Sequence, residues 1–157
     1  MEQKKNKELI LNNIDSFLQT DLGKKIVNRL MKDGKKVKAE KILSDVIILL
    51  SKIQPEDPIK ILKEAIQRVQ PLVEVRTIRV RGANYQVPVP VPVKRKTSLS
   101  IKWIIDSARK KKTGPMKVRL QEEFLLAYQR QGESIKKKIA VHKLASANRA
   151  YTHFRWF

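Results

Sequence analysis

The run YQVPVPVPV from Tyr85 to Val93 constrains the fold more than any other stretch. Valine recurs at Val87, Val89, Val91 and Val93, with Pro88, Pro90 and Pro92 between them. In a strand, every second backbone N–H points to the same edge. The three prolines share one parity, so they strip donors from one edge only. The opposite edge, with the N–H groups of Tyr85, Val87 and Val89, can still pair. Upstream, Val73, Val75 and Thr77 alternate with Glu74 and Arg76, and Gly82-Ala83-Asn84 supplies a turn. The expectation is a two-stranded ribbon at about 73–93, closed to a third strand at its proline edge. A ribbon alone is marginal in water. It must lean on the rest of the chain or on a partner.

The rest of the chain has helical periods. Leu22, Ile26, Val27, Leu30 and Met31 share one face, and Gly34 ends that helix. Val37, Ile42, Leu43, Val46, Ile47, Leu49, Leu50 and Ile53 cover more than half of the next, which suits a central position. Asp57-Pro58 is an N-cap followed by proline in the first turn, and Ile59, Leu62, Ile66 and Val69 make a stripe that Pro71 stops. After the ribbon, a helix is predicted from near Thr97-Ser98, with Ile101, Ile104, Ile105 and Ala108 inward. A second follows Gly114-Pro115, with Leu120, Phe124, Leu125 and Tyr128, and ends at Gly132. A third follows Ser134, before a tail AYTHFRWF. The predicted class is mainly α, a bundle of about six helices with a protruding two-stranded β-hairpin. Residues 1–19 read as a basic arm with a short helical piece around Leu9 to Leu18, and 20–157 as a single helical domain.

Aromatics make up only 6% of the residues, so the core must be aliphatic. The formal net charge is +20. Self-repulsion at that charge destabilises a compact chain, so a polyanion is expected beside it, most often nucleic acid. Cysteine is absent, which removes disulfides, thiolate nucleophiles and zinc-finger patterns. No apolar run approaches the roughly 18 residues that cross a bilayer, and no membrane partner is expected. MEQKKNKELI resembles neither a signal nor a transit peptide; the protein is expected to work where it is made.

Three constellations suit an anionic partner. In DGKKVKAE, Lys35, Lys36 and Lys38 stand at a helix start, where free N–H groups and ammonium groups together favour phosphate. The bland alternative is a solvated charged turn. On the ribbon, Arg76, Arg79 and Arg81 have only Glu74 beside them. They could merely keep an edge strand soluble, but arginine gathered towards the tip favours contact with nucleic acid. From Lys94 to Arg119 the chain carries Lys94, Arg95, Lys96, Lys102, Arg109, Lys110, Lys111, Lys112, Lys117 and Arg119 against the single acid Asp106. These neighbours lie within a Debye length of about 8–10 Å. Trp103 falls off the apolar stripe of its helix. Two placements are open: packing on the hairpin base or a neighbouring helix, or stacking on RNA.

Catalysis has little support. His142 and His153 are the only histidines, their spacing suits no metal site, and His142 reads as a polar residue at the core edge. Glu122 and Glu123 are adjacent and cannot share a helix face. The glycines are too scattered for a phosphate-cradling loop. No enzyme activity, cofactor, metal or small-molecule substrate is expected. The rival readings are a free nucleic-acid-binding regulator and an enzyme acting on RNA.

Four stretches, LMKDGKKVKAEKI, VQPLVEVRTIRVRGANYQVPVPV, SIKWIIDSARKKK and VHKLASANRAYTHFRW, occur in this order. In these the chain resembles the small-subunit ribosomal protein seven family, from about Asp21 to the end. The resemblance implies a primary binder of the 3′ domain of small-subunit rRNA that starts assembly of the subunit head. It implies rRNA contact at Lys35, Lys36, Arg76, Lys94, Lys102, Trp103, Arg109 and Lys110, and at the loop holding Met116 and Lys117. Lys24, Lys25, Lys38, Arg95, Lys96, Lys111, Lys112 and Arg119 complete the rRNA-facing set. The hairpin tip, with Arg79, Arg81, Gly82 and Asn84, is expected to reach exit-site tRNA and mRNA. The C-terminal helix is expected to approach a neighbouring small-subunit protein. The N-terminus departs from the Arg-rich arm of bacterial-type members. The KKK run after Arg109 and the AYTHFRWF ending suggest a mitochondrially encoded member in the matrix; the alternatives are bacterial cytoplasm or plastid.

Overall fold

A computed structural model describes residues 12–155. Residues 12–19 form helix α1. Then come α2 (Asp21–Leu30), α3 (Lys36–Ile53), α4 (Pro58–Val69), β1 (Val73–Val80), β2 (Ala83–Pro90), α5 (Val93–Lys110), α6 (Met116–Tyr128), α7 (Glu133–Ala147) and a 3-10 helix, Arg149–Phe154. Helices around one core with a two-stranded antiparallel hairpin are the architecture expected of the sequence.

Residues 1–11 of the expected arm lie outside the described residues. The remainder is not arm. Ile14 and Phe17 are each 2% exposed and belong to the core. One helical turn of apolar spacing was too short a signal to place them there. Thr20 then joins two helices: its hydroxyl donates to the Phe17 carbonyl at 2.6 Å and accepts from Gly23 N–H at 3.1 Å. Gly23 lies so close to the Phe17 carbonyl that any Cβ would overlap it. The α1–α2 corner therefore requires glycine.

The aliphatic core is as predicted for α2, α4 and α5, with Ile26, Leu62, Ile66, Ile104 and Ile105 all at most 2% exposed. The helix expected at the centre, α3, exposes Val37 and Ile53 at its two ends, 77% and 52%. It is α6 that packs on α3, α4 and α5. Asp57 caps α4 as read, accepting from Ile59 N–H at 3.0 Å.

Several boundaries differ from expectation. Helix α2 ends at Leu30 with Met31 as its C-cap, so Gly34 shapes the following turn instead of closing the helix, and the ribbon expected to about 93 ends at Pro90. Helix α5 starts at Val93, not near Thr97, because the Thr97 and Ser98 hydroxyls bond back to the carbonyls of Val93 and Lys94. Hydroxyls that cap a helix can also sit inside one in this way. Helix α6 stops at Tyr128, and Gly132, with φ +91°, opens α7 instead of closing α6. Ser134 is then the second residue of α7, not its lead-in.

The hairpin pairs Val73 with Pro90 through Val80 with Ala83. Only Arg81 and Gly82 are left for the turn, with φ +49° and +87°. Two positive φ values are what the tightest hairpins require. The turn is thus shorter than the Gly82–Asn84 loop expected, since Ala83 and Asn84 are already paired. At the base, Val91 N–H donates to the Leu72 carbonyl, continuing the odd-numbered donors towards the first strand as the proline parity predicts. The buried face of β1 carries Glu74, at 9% exposure, while Val73 and Val75 are only half-buried.

Candidate nucleic-acid interface

The α2–α3 turn is built from two left-handed residues, Asp33 at φ +53° and Gly34 at φ +70°. It folds Lys35 back so that its N–H bonds the Lys32 carbonyl. Helix α3 then begins with no side-chain cap and no acid in its first turn. The Lys36 N–H bonds the Gly34 carbonyl at 2.8 Å, which leaves those of Val37 and Lys38 for an anion.

Three segments that are distant in sequence meet beside this turn. A groove of about 400 Å³ has Lys32, Lys35, Lys38, Arg109 and Arg119 around a floor of Leu30, Met31, Ala39, Ile42 and Met116. A hollow of about 140 Å³ on another side of α2 collects Lys24, Asn28 and Lys36. A third, of about 280 Å³, lies between α2 and α5 and is lined by Lys25, Asn28, Arg29, Ser98 and Ile101. Cations from α2, the DGKK turn, the end of α5 and the start of α6 therefore form one continuous region around α2.

The cations in it are of two kinds. Lys25–Asp21, Lys35–Asp33, Lys36–Glu40 and Lys117–Asp45 are surface pairs at 2.6, 3.6, 3.6 and 3.1 Å. Such pairs contribute little to stability, so phosphate can replace the carboxylate. The Lys25 ammonium, by hydrogen bond and charge, holds the Asp21 carboxyl below its ordinary value. Lys102, Lys110 and Lys112 are exposed. Three others are built into the fold. Arg109 donates to the carbonyls of Arg29 and Leu30 at 3.1 and 3.2 Å, at the end of α2. Arg119 donates to the Lys111 carbonyl. Lys111 itself reaches both Glu122 and the fully buried Glu123, each at 3.4 Å. Trp103 is half-buried, with part of its ring packed against the core.

The ribbon base holds a second group. Glu74 bridges Arg76 at 2.9 Å and Arg95 at 2.7 Å, tying β1 to the start of α5. Burial alone would push the Glu74 carboxyl up, but hydrogen bonds from Arg95 and Arg76 outweigh it and hold the acid below its ordinary value. Lys94 and Lys96 share the first turn of α5 with Arg95. Arg79, Arg81, Gly82 and Asn84 are exposed at the tip, away from the α2 region.

The family model for ribosomal protein S7p/S5e matches residues 1–149. The chain belongs to this family. Among its relatives, the small ribosomal subunit protein uS7 of Fervidobacterium nodosum is 52% identical over 132 residues, covering 84% of this chain and 85% of that one. The uS7 protein of Thermosipho africanus is 50% identical over 142 residues, 90% and 92% of the two chains. That of Pelagibacter ubique is 41% identical over 156 residues, 99% and 100%.

In this S7p/S5e chain, sequence reading missed Arg29 and Lys32. Arg29 borders the α2–α5 hollow with Asp106 at 3.7 Å, and Lys32 lines the main groove. Arg29 sits singly near the end of α2, and Lys32 stands one residue ahead of the DGKK turn, outside the stretch singled out there. Among the described residues no helix is long and apolar enough to cross a membrane. Nor does any group of His, Asp and Glu among them suit a metal ion.

Proposed function

We propose that this S7p/S5e chain is a structural constituent of the small ribosomal subunit that binds rRNA through the cationic region around α2. One observation carries this reading. The DGKK turn, the end of α5 and the start of α6, scattered over more than half the sequence, converge on one groove with a cationic rim and an apolar floor. A rim of ammonium and guanidinium groups binds phosphates, and the N-terminus of α3, without a side-chain cap, adds the oriented N–H donors of Val37 and Lys38.

On this reading the RNA is the 3′ domain of small-subunit rRNA, and binding it starts assembly of the head. The exposed tip cations face mRNA and exit-site tRNA, and α7 faces a neighbouring small-subunit protein. The compartment is the mitochondrial matrix, a part carried only by the basic run at Arg109–Lys112 and the AYTHFRWF ending. The three relatives named above are bacterial.

The test is binding of the full chain to a 3′-domain rRNA fragment, with Lys35→Glu and Lys38→Glu together as the variant. The expected result is loss of binding with helicity retained. Unchanged affinity would overturn the groove as the rRNA site. Fractionation that finds the protein in bacterial ribosomes would overturn the compartment alone.

A further inference from the structure

We propose that the C-terminal 3-10 helix is a latch that fixes the direction of the hairpin arm. The described part of the tail, residues 150–155, lines none of the hollows of the cationic region, yet its side chains meet the ribbon. Tyr85 of β2 has the ring of Tyr151 at 5.2 Å and that of Phe154 at 4.9 Å, both tilted. Tyr151 and Phe154 stack on each other at 6.4 Å with 16° between their planes. Next to Tyr85, Gln86 accepts a 3.4 Å hydrogen bond from the Asn148 side chain, at the junction of α7 and the 3-10 helix. The tail thus holds two consecutive residues of β2.

The place of the contact along the ribbon decides what it does. The ribbon is rooted where Val87, Val89 and Val91 are buried. At about 3.3 Å per residue, Tyr85 lies roughly 7 Å beyond Val87, the last of these, and the turn at Gly82 about 10 Å further on. A two-stranded ribbon has little stiffness of its own. Held only as far as Val87, it would swing a tip roughly 16 Å out; held at Tyr85, it leaves only the last ~10 Å free. Aromatic pairs at these separations and tilts are attractive beyond their area. Tyr85, Tyr151 and Phe154 are therefore positioning residues. They present the tip in one direction before any partner arrives, which lowers the ordering cost of meeting one. The inference concerns the arm's geometry and stands whatever the tip touches.

The absence of cysteine allows a direct test on the full chain. Spin labels are placed at Ala83→Cys in the ribbon and Lys41→Cys on α3, both exposed positions, and the distance distribution between them is read by pulsed electron resonance. In this background Tyr151→Ala with Phe154→Ala is expected to broaden the distribution roughly 1.5-fold, the ratio of the two free lengths. The melting transition of the helical body should not move. Tyr151→Phe keeps the ring and should keep the distribution narrow. An unchanged distribution in the double variant overturns the latch. Broadening that comes with a lowered melting transition also overturns it, since the tail would then belong to the core. Broadening in Tyr151→Phe would show that the hydroxyl, not the ring packing, makes the hold.

Discussion

Arg109 closes the end of α2: its guanidinium donates to the backbone carbonyl of Leu30 at 3.2 Å, across 79 residues of sequence. The neighbouring Arg29 carbonyl takes a second bond from the same nitrogen. A cation at a helix C-terminus satisfies orphan carbonyls and complements the helix dipole. Arg109 therefore serves the fold as well as the groove. Arg109→Ala is expected to lower stability by about 1 kcal/mol. Lys102→Ala with Lys110→Ala should leave it nearly unchanged, because those groups are exposed and sit among other cations, with Glu133 a weak attraction for Lys110. Urea denaturation of both variants separates the two cases. Equal stability in all three proteins would show that the Arg109 bonds hold nothing.

Glu123 is the one fully buried carboxylate of α6. One oxygen accepts from both the backbone N–H and the hydroxyl of Ser134, at 3.1 and 2.9 Å, and so caps α7, whose own N-cap position is a glycine. Glu123→Ala removes the cap and leaves Lys111 without its buried partner. The expected loss is about 1–2 kcal/mol, the scale of a lost cap, since Lys111 is partly exposed and keeps Glu122. Glu123→Gln keeps an acceptor and should lose less. A thermal melt in which the two variants behave alike would refute the capping role.

His142 gives the fold a pH dependence of definite sign. Its Nε2 accepts the N–H of Leu72 at 3.1 Å, which requires the neutral ring. Burial first, and then the charge of Lys138, hold its pKa below the ordinary 6.5. The unfolded chain therefore takes up this proton at higher pH than the folded one. The His142 contribution is fully present above 6.5 and is lost as pH falls from there through the lowered folded value. His142→Gln should flatten that part of the stability curve. A wild-type curve as flat as the variant's between pH 7 and 5 would contradict this.

The tight turn fixes how the tip can be tested. Arg81 takes φ +49°, a conformation that asparagine tolerates better. Arg81→Asn should keep the register and raise ribbon stability slightly. Gly82→Ala, at φ +87°, should destabilise it by about 1 kcal/mol. If the tip meets exit-site tRNA, Arg81→Asn weakens tRNA retention on assembled subunits and leaves binding to isolated rRNA unchanged. Loss of rRNA binding would make the tip part of the primary site.

Salt tests the electrostatic origin of affinity. If roughly 6–10 phosphates are neutralised, binding should fall about 10³–10⁵-fold between 50 and 200 mM salt. Lys38→Ala should lower the slope by about one phosphate. A flat salt response would mean that phosphate contact is not the main source of affinity.

The sequence by itself determined the helices, the ribbon and the cationic character of the surface. Each is written in short-range order: apolar spacing in α4 and α5, the shared parity of Pro88, Pro90 and Pro92, and lysines crowded around DGKK. It also contained the family resemblance, which the family model supports over residues 1–149. Tertiary structure alone decided what each charge does. Arg109 and Lys111 look alike in the sequence to Lys110 and Lys112. Yet the first pair is spent on carbonyls of α2 and on Glu123, while the second is exposed. Nothing in the local sequence sets Glu74 and Glu123 apart from the other acids, and packing buries both. Ile14 and Phe17 read as arm until Gly23 lets α2 fold back against their helix. The physical reason is one of range. Periodicity is a property of neighbours in the chain, whereas a hydrogen bond or ion pair acts over a few ångströms of space. Which residues come within that distance across 79 positions is settled only when the whole core closes.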